Sequence, residues 1–275
     1  MLLSFSIGPF SISAYAAFTV FFIFVFWAVA RLLTRKNESP EDVSDNIFRA
    51  LVIGVVAARA VFVLSFWEVY QQDLFSVIDI RDGGFNTTIG WFSGLLILLA
   101  CTRNKREQMS AYLKAAVMAA VIIAPLALVN LLLTNEQSIW PIQLQRADGT
   151  AVMVEHQTGK PVVINFWASW CPPCRREMPV LVEAQNDYAD ITFIFVNQQD
   201  STSDALHFLR KNNLEIANIY FDPVGQTARQ LGISGLPSTL FFDANGNLVT
   251  SHMGEVSRAS LLHNVQQLVT DSAEQ

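Results

Sequence analysis

Long apolar segments separated by short polar stretches fill the first half of the chain. They lie at residues 10–33, 47–67, 86–101 and 111–133, and the third is the shortest. A helix of about 20 apolar residues crosses the hydrocarbon core of a bilayer with some tilt. The pattern therefore predicts a multi-pass α-helical membrane region of about four spans over residues 1–133.

The second half alternates short apolar runs with amphipathic stretches. Residues 134–160 carry turn signals at Asp148-Gly149 and Thr158-Gly159, which predict a linker and then a β-hairpin from about residue 140. Continuous apolar strands that alternate with helices are typical of an α/β sheet covered on both faces. The predicted elements are strands at 161–168, 191–196, 216–221, 238–243 and 248–253, and helices from 172, near 203–213, near 224–231 and from 257. We expect residues 161–275, together with the hairpin, to form one α/β domain.

Composition supports a membrane portion and excludes one class of partner. The chain is 52% apolar and 15% charged, against roughly 25% charged residues in soluble domains. Residues 1–139 hold ten basic and ten acidic residues and residues 140–275 hold eight and fourteen, so the net charge of −6 lies in the second half. Nucleic-acid binding requires clustered Lys and Arg, and we therefore expect no nucleic-acid partner.

The charges of the polar loops predict how the chain is oriented in the membrane. Basic residues cluster at 31–36 and 103–114, whereas residues 68–82 are mostly acidic. The positive-inside bias places the basic clusters in the cytoplasm and both termini outside. A cleaved signal peptide requires a positive leader. The first basic residue, Arg31, follows the apolar run, so the first segment is predicted to be an anchor.

Two cysteines in a Cys-Pro-Pro-Cys sequence stand where a predicted strand meets a predicted helix. Pro172 suits the first helical position, where a missing N–H costs nothing. The sulfur of Cys171 then faces a helix N-terminus, where free amides and the dipole stabilise a thiolate and lower the pKa of the thiol. Cys174 follows one turn later, close enough to close a disulfide and more buried. Pro173 and Pro172 stiffen the turn and remove two donors, but the sequence does not give the sign of their effect on the redox potential.

Metal binding is the main alternative for this pair. A closed zinc site requires four ligands, but Cys101 lies at the end of a membrane segment and the four histidines are scattered singly. We therefore expect no metal cofactor, although copper(I), which accepts two soft ligands, stays open. A purely structural disulfide is disfavoured because so short a ring constrains little of the unfolded chain.

The stretch "GKPVVINFWASWCPPCRREMP" resembles the active-site sequence of the TlpA/ResA-like family of membrane-tethered thiol-disulfide oxidoreductases, which have the thioredoxin fold. The resemblance covers about residues 140–270. It implies that Cys171 attacks, that Cys174 resolves, and that this redox-active pair works without another cofactor.

The same resemblance implies a client-binding surface. "GLPST" is similar to the cis-proline loop of the family, which places Leu236 and Pro237 beside the disulfide, where backbone groups pair with an extended client. Trp170, next to the first cysteine, belongs to the same surface. An X-Pro bond is cis in only about one case in twenty, so this prediction depends on the resemblance.

One position departs from thioredoxin. Asn165 stands where thioredoxin has a buried aspartate six residues before the first cysteine, and an amide cannot shuttle a proton. Either another group or water then deprotonates Cys174. Glu177 is a candidate, but beside Arg175 and Arg176 it is predicted to be a solvated helix carboxylate.

The membrane half has a resemblance of its own. "SIGPFSISAYA", "FRALVIGVVAARAVFVLSFW" and "DGGFNTTIGWFSG" resemble the N-terminal portion of prolipoprotein diacylglyceryl transferase. The family's His-Gly-Gly run is replaced by Thr88-Ile89-Gly90, and its later catalytic motif is absent, so we interpret residues 1–133 as a degenerate scaffold reused as an anchor. Arg59 within the second segment is costly in hydrocarbon and points to a function, or else is an interior ion pair or a snorkelling structural charge.

These features predict a membrane-anchored thiol-disulfide oxidoreductase that reduces disulfides in envelope proteins. The expected location is the bacterial inner membrane, with the thioredoxin-like domain in the periplasm. With only Cys101 in the membrane half, the chain lacks the cysteine pair of a transmembrane relay. An external thiol reductant, such as a DsbD-like membrane protein, is implied. A dithiol oxidase, a copper(I)-handling module and a lipid transferase are the alternatives.

Overall fold

The structure is a computed structural model that describes residues 4–7, 10–34, 40–71, 74–135, 139–156 and 159–273. The chain forms two compact units. One comprises residues 1–13, 79–83 and 136–275, and the other comprises residues 14–78 and 84–135.

Four long apolar helices build the unit of residues 14–78 and 84–135. They are α1 (Ala14–Thr34), α2 (Pro40–Ser65), α4 (Thr87–Thr102) and α5 (Arg106–Asn135), and the short α3 (Trp67–Tyr70) follows α2. Three of them contain stretches long and apolar enough to cross a membrane, at Ala16–Thr34, Asp42–Ser65 and Arg106–Val129. The 16-residue α4 reaches only about 24 Å at 1.5 Å per residue, short of a core of about 30 Å. The predicted multi-pass helical region is confirmed, and the shortest predicted segment corresponds to α4, the shortest of the four long helices.

The outer surface of these helices is apolar. Phe24 is 59% exposed, Leu96 63% and Val121 67%. A soluble domain rarely exposes large contiguous apolar patches, whereas a bilayer requires such a surface. The exposure pattern therefore agrees with membrane anchoring.

Helices α2 and α4 approach each other closely through glycines. A Cβ atom on Gly54 would lie 2.8 Å from the carbonyl oxygen of Gly90, so no larger side chain fits there without displacing backbone. Asn86 caps α4, because its side chain accepts the N–H of Ile89 at 3.1 Å. The stretch that replaces the transferase histidine motif therefore forms the first turn of a capped helix.

Arg59 of α2 binds the loop that joins α2 to α4. Its guanidinium donates to the carbonyl oxygens of Ser76, Val77 and Gly84 at 2.9, 3.0 and 2.8 Å, and it lies 5.3 Å from the ring centroid of Tyr70. Backbone carbonyls satisfy a charge that would be costly in hydrocarbon. These contacts give the arginine a structural role in holding the loop.

The other unit is built on a seven-stranded mixed sheet. Its strands are β3 (Ile142–Gln145), β4 (Ala151–Val154), β5 (Val162–Trp167), β6 (Thr192–Gln198), β7 (Ile219–Asp222), β8 (Ser238–Phe242) and β9 (Leu248–Met253). Its helices are α6 (Pro172–Asp187), α7 (Thr202–Lys211), α8 (Gln226–Gln230) and α9 (Arg258–Ala273), and a separate antiparallel pair is formed by β1 (Ser4–Ile7) and β2 (Phe10–Ser13). The predicted α/β domain is confirmed.

The strand order places the cysteine pair at the centre of the sheet. The order is β4-β3-β7-β6-β5-β8-β9, in which β5, β6 and β7 run parallel and β8 is antiparallel to β5. The predicted hairpin is the pair β3 and β4, which extends the sheet past β7. Helix α6 follows β5, so its N-terminus lies at the carboxyl end of a central strand, where α/β sheets commonly bind ligands.

Apolar side chains cover both faces of the sheet. Val163 and Phe195 pack with Met178 of α6 and Leu261 of α9 in one core. The other core contains β5, β6 and β8 side chains packed with Ala228 of α8. Every residue of β5 is buried, which explains why its sequence is apolar at every position except Asn165. Helix α9 begins after Ser257, whose hydroxyl accepts the N–H of Ser260 at 3.1 Å, as its sequence predicts.

Candidate active site

Cys171 caps the N-terminus of α6. Its backbone is extended, with φ −87° and ψ 110°, and Pro172 occupies the first helical turn. The N–H of Cys174 points at the Cys171 sulfur at 3.3 Å. In the dithiol form this N–H and the helix dipole favour a thiolate at Cys171, because both place positive charge beside the sulfur.

The two sulfurs form a disulfide, with a Cα–Cα separation of 5.3 Å. Both residues are buried, since Cys171 is 3% exposed and Cys174 is 0% exposed. The difference between them lies in their surroundings, because Cys171 lines an open cleft and Cys174 packs in the core.

That cleft, here called the first cleft, has a volume of about 630 Å³. Its walls come from the loop before α6, the end of β6, helix α8 and the loop before β8. It is lined by Trp170, Cys171, Pro172, Pro173, Gln198, Gln199, Arg229, Gly232, Ile233, Ser234, Gly235 and Leu236. Of the two cysteines, only Cys171 lines this cleft.

The loop that carries Trp170 is tied to the loop after β6. The N–H of Ser169 donates to the Asp200 carboxylate at 2.7 Å, and the indole of Trp170 donates to the carbonyl oxygen of Gln199 at 2.9 Å. The side-chain amide of Asn197 also donates to Asp200, at 3.1 Å. Trp170 stays 57% exposed, so its ring is available to a partner while its N–H is held.

The opposite wall contains the peptide bond between Leu236 and Pro237, which is cis. Leu236 lines the first cleft together with Cys171. Pro237 is buried behind it, and its carbonyl oxygen accepts the N–H of Gly254 at 3.0 Å. The structure thus brings Trp170, Cys171 and Leu236 to one cleft.

Asn165 of β5 and Glu177 of α6 form a buried polar pair. The Asn165 amide donates to one Glu177 carboxylate oxygen at 2.8 Å and to Thr239 Oγ1 at 3.0 Å. The other Glu177 oxygen accepts the N–H of Val256 at 2.8 Å. Glu177 is 1% exposed, so the prediction of a solvated helix carboxylate is wrong. The two arginines before it lie on the outer side of α6, whereas Glu177, one turn after Cys174, faces the core.

Burial controls the ionisation of this carboxyl. Loss of solvation raises the pKa of Glu177 to about 8, although the hydrogen bonds from Val256 and Asn165 oppose that shift. Such a value lies close to that of a free thiol, about 8.5. The group is therefore suited to exchange a proton with a cysteine near neutral pH.

Sequence reasoning missed part of the cleft wall. These wall residues are Gln198 at the end of β6, Gln199 after it, and Arg229 of α8. The polar run after the buried strand over 191–196 was a usable signal, because ligands gather at the carboxyl ends of parallel strands. Arg229 has no comparable signal in the sequence. Within the described part of the chain, no group of three or more His, Cys, Asp or Glu residues is placed to hold a metal ion.

The βα-junction disulfide and the mixed sheet define the C-terminal half as a thioredoxin-like domain. Residues 134–268 match the Redoxin family, and residues 3–131 match the prolipoprotein diacylglyceryl transferase family. The two halves of the chain are thus similar to two different families. Both resemblances predicted from the sequence are confirmed.

Curated relatives of the C-terminal half carry thiol-disulfide names. The thiol:disulfide interchange protein CycY of Rhizobium leguminosarum bv. viciae is 32% identical over 121 residues, which are 44% of this chain and 64% of CycY. The thiol:disulfide interchange protein DsbE of Escherichia coli (strain K12) is 34% identical over 99 residues, which are 36% of this chain and 52% of DsbE. The solved structure of MTB dsbF in its mixed oxidized and reduced forms is 27% identical, covers 48% of this chain and 98% of that chain, and has a TM-score of 0.45. The chain thus spans about half to under two thirds of these two curated relatives.

Proposed function

We propose that the protein is a membrane-anchored thiol-disulfide oxidoreductase that reduces disulfides in client proteins of the cell envelope. The observation that carries the proposal is the placement of the cysteine pair. Cys171 lines the first cleft at a helix N-terminus, and Cys174 lies behind it with no exposed surface. One sulfur is therefore placed to meet a client, and the other can reach only Cys171.

The reaction proceeds in two exchange steps. The Cys171 thiolate attacks one sulfur of the client disulfide, forming a mixed disulfide and releasing the other client sulfur as a thiolate that takes up a proton. The Cys174 thiol then loses its proton and attacks the Cys171 sulfur, which closes the intramolecular disulfide and releases the second client thiol. Two electrons pass from the protein to the client.

Glu177 is the proposed proton acceptor for Cys174. It is buried one helical turn from Cys174, and its raised pKa places it near the thiol in acidity. Asn165 acts as a positioning residue, since its amide holds a Glu177 oxygen at 2.8 Å. Trp170 and Leu236 are the proposed contacts to the client chain, Pro237 supports Leu236 from behind, and Pro172 and Pro173 shape the turn.

Each turnover leaves the pair oxidised, so a reductant must restore it. We propose an external dithiol protein as the donor, such as a DsbD-like membrane protein, and no cofactor other than the Cys171–Cys174 pair. The membrane half then serves as an anchor in the inner membrane.

The reduction potential tests the direction of electron flow. We expect the full-length protein in detergent, with Cys101→Ser to remove the third thiol, to equilibrate near the thioredoxin value of about −270 mV. The measurement is the fraction of Cys171–Cys174 disulfide across a series of glutathione or dithiothreitol ratios. A value near that of DsbA, about −120 mV, would favour the dithiol oxidase. Stoichiometric copper(I) binding with negligible disulfide exchange would favour a copper-handling module.

A fusion experiment tests the proposed periplasmic location. Because the basic clusters at 31–36 and 103–114 favour the cytoplasm, a reporter active only in the cytoplasm should be silent when fused after Gln275. The same reporter fused after Arg103, at the end of α4, is the matched control and should be active. Activity after Gln275 would reverse the proposed orientation.

A further inference from the structure

Two clefts flank the start of α6, and the charged side chains that line them have one sign. The first cleft contains Arg229. The second cleft, on the other side of Pro172, is lined by Pro172, Arg175, Arg176, Phe208 and Asn212. Among the described residues that line either cleft, every charged one is an arginine.

The positive charge of these clefts is opposite in sign to the net charge of the domain. Residues 140–275 contain eight basic residues against fourteen acidic ones, yet three of the eight line these two clefts. A domain of net negative charge thus presents positive charge where its attacking cysteine lies.

The nearby carboxylates are engaged within the protein. Glu177 is buried, Asp200 accepts the N–H of Ser169, and Asp222 accepts the N–H groups of Gln226 and Ala228. Glu255 forms a salt bridge with Arg176. Arg176 is therefore largely neutralised, and Arg175 and Arg229 carry most of the local positive charge.

Both of these arginines are exposed and held in position. Arg229 donates to the carbonyl oxygen of Val224 at 2.7 Å through Nη1. Arg175 stacks over the ring of Phe208, 5.5 Å from its centroid. A guanidinium that is already oriented loses less freedom when it binds a carboxylate, and its planar fork suits that partner.

We propose that the two clefts select client segments with acidic side chains close to the reactive cysteine. Arg229 binds a carboxylate on one side of the client sulfur and Arg175 binds one on the other side. This inference rests on the proposed function and names the class of client that it serves. The attraction is electrostatic, so it acts on encounter and orientation, and salt weakens it.

The test uses three synthetic peptides that share one disulfide ring and differ only in their flanking residues, which are Glu, Gln or Lys. The reduced full-length protein, with Cys101→Ser, is mixed with each peptide, and the rate constant for peptide reduction is measured from acid-quenched samples. At low salt we expect the Glu peptide to react about fivefold faster than the Gln peptide and the Lys peptide to react more slowly than both. In Arg175→Gln plus Arg229→Gln the three rates should converge to within twofold.

The matched control is Arg146→Gln plus Lys160→Gln, which removes the same two positive charges from exposed positions in the turn between β3 and β4 and just before β5. It should leave the ratio of Glu to Gln peptide rates unchanged. The comparison uses the ratio of the two peptide rates. A variant that changes the reactivity of Cys171 equally toward all peptides leaves this ratio unchanged, so it is not mistaken for a loss of preference for acidic peptides. Equal rates for all three peptides in the parent protein would overturn the inference and leave the reductase function intact. Failure to reduce any of the peptides would count against the proposed function itself.

Discussion

Cys174→Ser should accumulate client proteins covalently bound to the chain, whereas Cys171→Ser should trap almost none. The reason is the separation of the two sulfurs, since Cys171 lines the first cleft and Cys174 has no exposed surface. Removal of the resolving sulfur stops the reaction at the mixed disulfide. The measurement is non-reducing electrophoresis of the full-length protein isolated from cells, with complexes that disappear on adding a reductant.

The control for this experiment is Cys101→Ser, which should leave trapping unchanged because Cys101 lies in α4 of the other compact unit. Trapping by Cys171→Ser and not by Cys174→Ser would reverse the assignment of attacker and resolver. Loss of turnover in Cys101→Ser with the active-site pair intact would make the membrane half part of the electron path, against its interpretation as an anchor.

Glu177→Gln should slow resolution of the mixed disulfide about 100-fold, the scale of a lost proton-transfer group. In the parent protein the resolution rate should rise with pH and level off above about 8, where burial places the Glu177 pKa. The variant should lose that dependence, since glutamine keeps the shape and cannot ionise. Quenched single-turnover reactions from pH 6 to pH 9 measure the release of the second client thiol.

Glu183→Gln is the matched control, because Glu183 lies on the same helix, is only partly buried and pairs with Arg258. It should leave the rate and its pH profile unchanged. If Glu177→Gln retains both the rate and the profile of the parent, water or another group deprotonates Cys174.

The same carboxyl makes stability depend on pH. Its pKa is raised from an ordinary value near 4.5 to about 8 in the folded protein, so between these values the folded state binds more protons than the unfolded state. The contribution of Glu177 to stability is therefore fully present below about pH 4.5 and is lost as the pH rises through 8. Glu177→Gln should therefore make stability less dependent on pH between these values. This effect is expected whether Glu177 has a structural role or a proton-transfer role, whereas a change in the resolution rate is expected only for a proton-transfer role.

Local patterns in the sequence were enough to predict most elements of the fold, but the pair β1 and β2 was not predicted, because residues 10–13 were assigned to the first apolar segment. The strand before Cys171 is buried on both faces, so its mostly apolar sequence predicts a buried strand without knowledge of its neighbours in the sheet. The start of α6 is likewise predicted from only four residues, the Cys-Pro-Pro-Cys sequence. Helices of the membrane half follow from length and hydropathy alone, and α4 was already the shortest segment.

The environment of the site depends on residues that lie far apart in the chain. Glu177 was expected in solvent because its neighbours Arg175 and Arg176 are charged, but it lies on the buried face of α6, where it accepts the N–H of Val256, 79 positions later. Arg229 reaches the first cleft from a helix of five residues, and nothing in that short stretch marks it as a wall of a site. Contacts between distant segments decide these features, and local periodicity does not record them.

The attachment of the active-site loop has a consequence for protein engineering. The bond from Ser169 to Asp200 uses a backbone N–H, so any residue except proline at position 169 keeps the donor. The side chain of the next residue, Trp170, stays largely in solvent. The backbone attachment at position 169 thus does not depend on the side chain at position 170, although replacing Trp170 also removes its indole bond to Gln199. Libraries randomised at position 170 and along the loop that ends at Leu236 could therefore redirect this scaffold to new targets while leaving its sulfur chemistry in place.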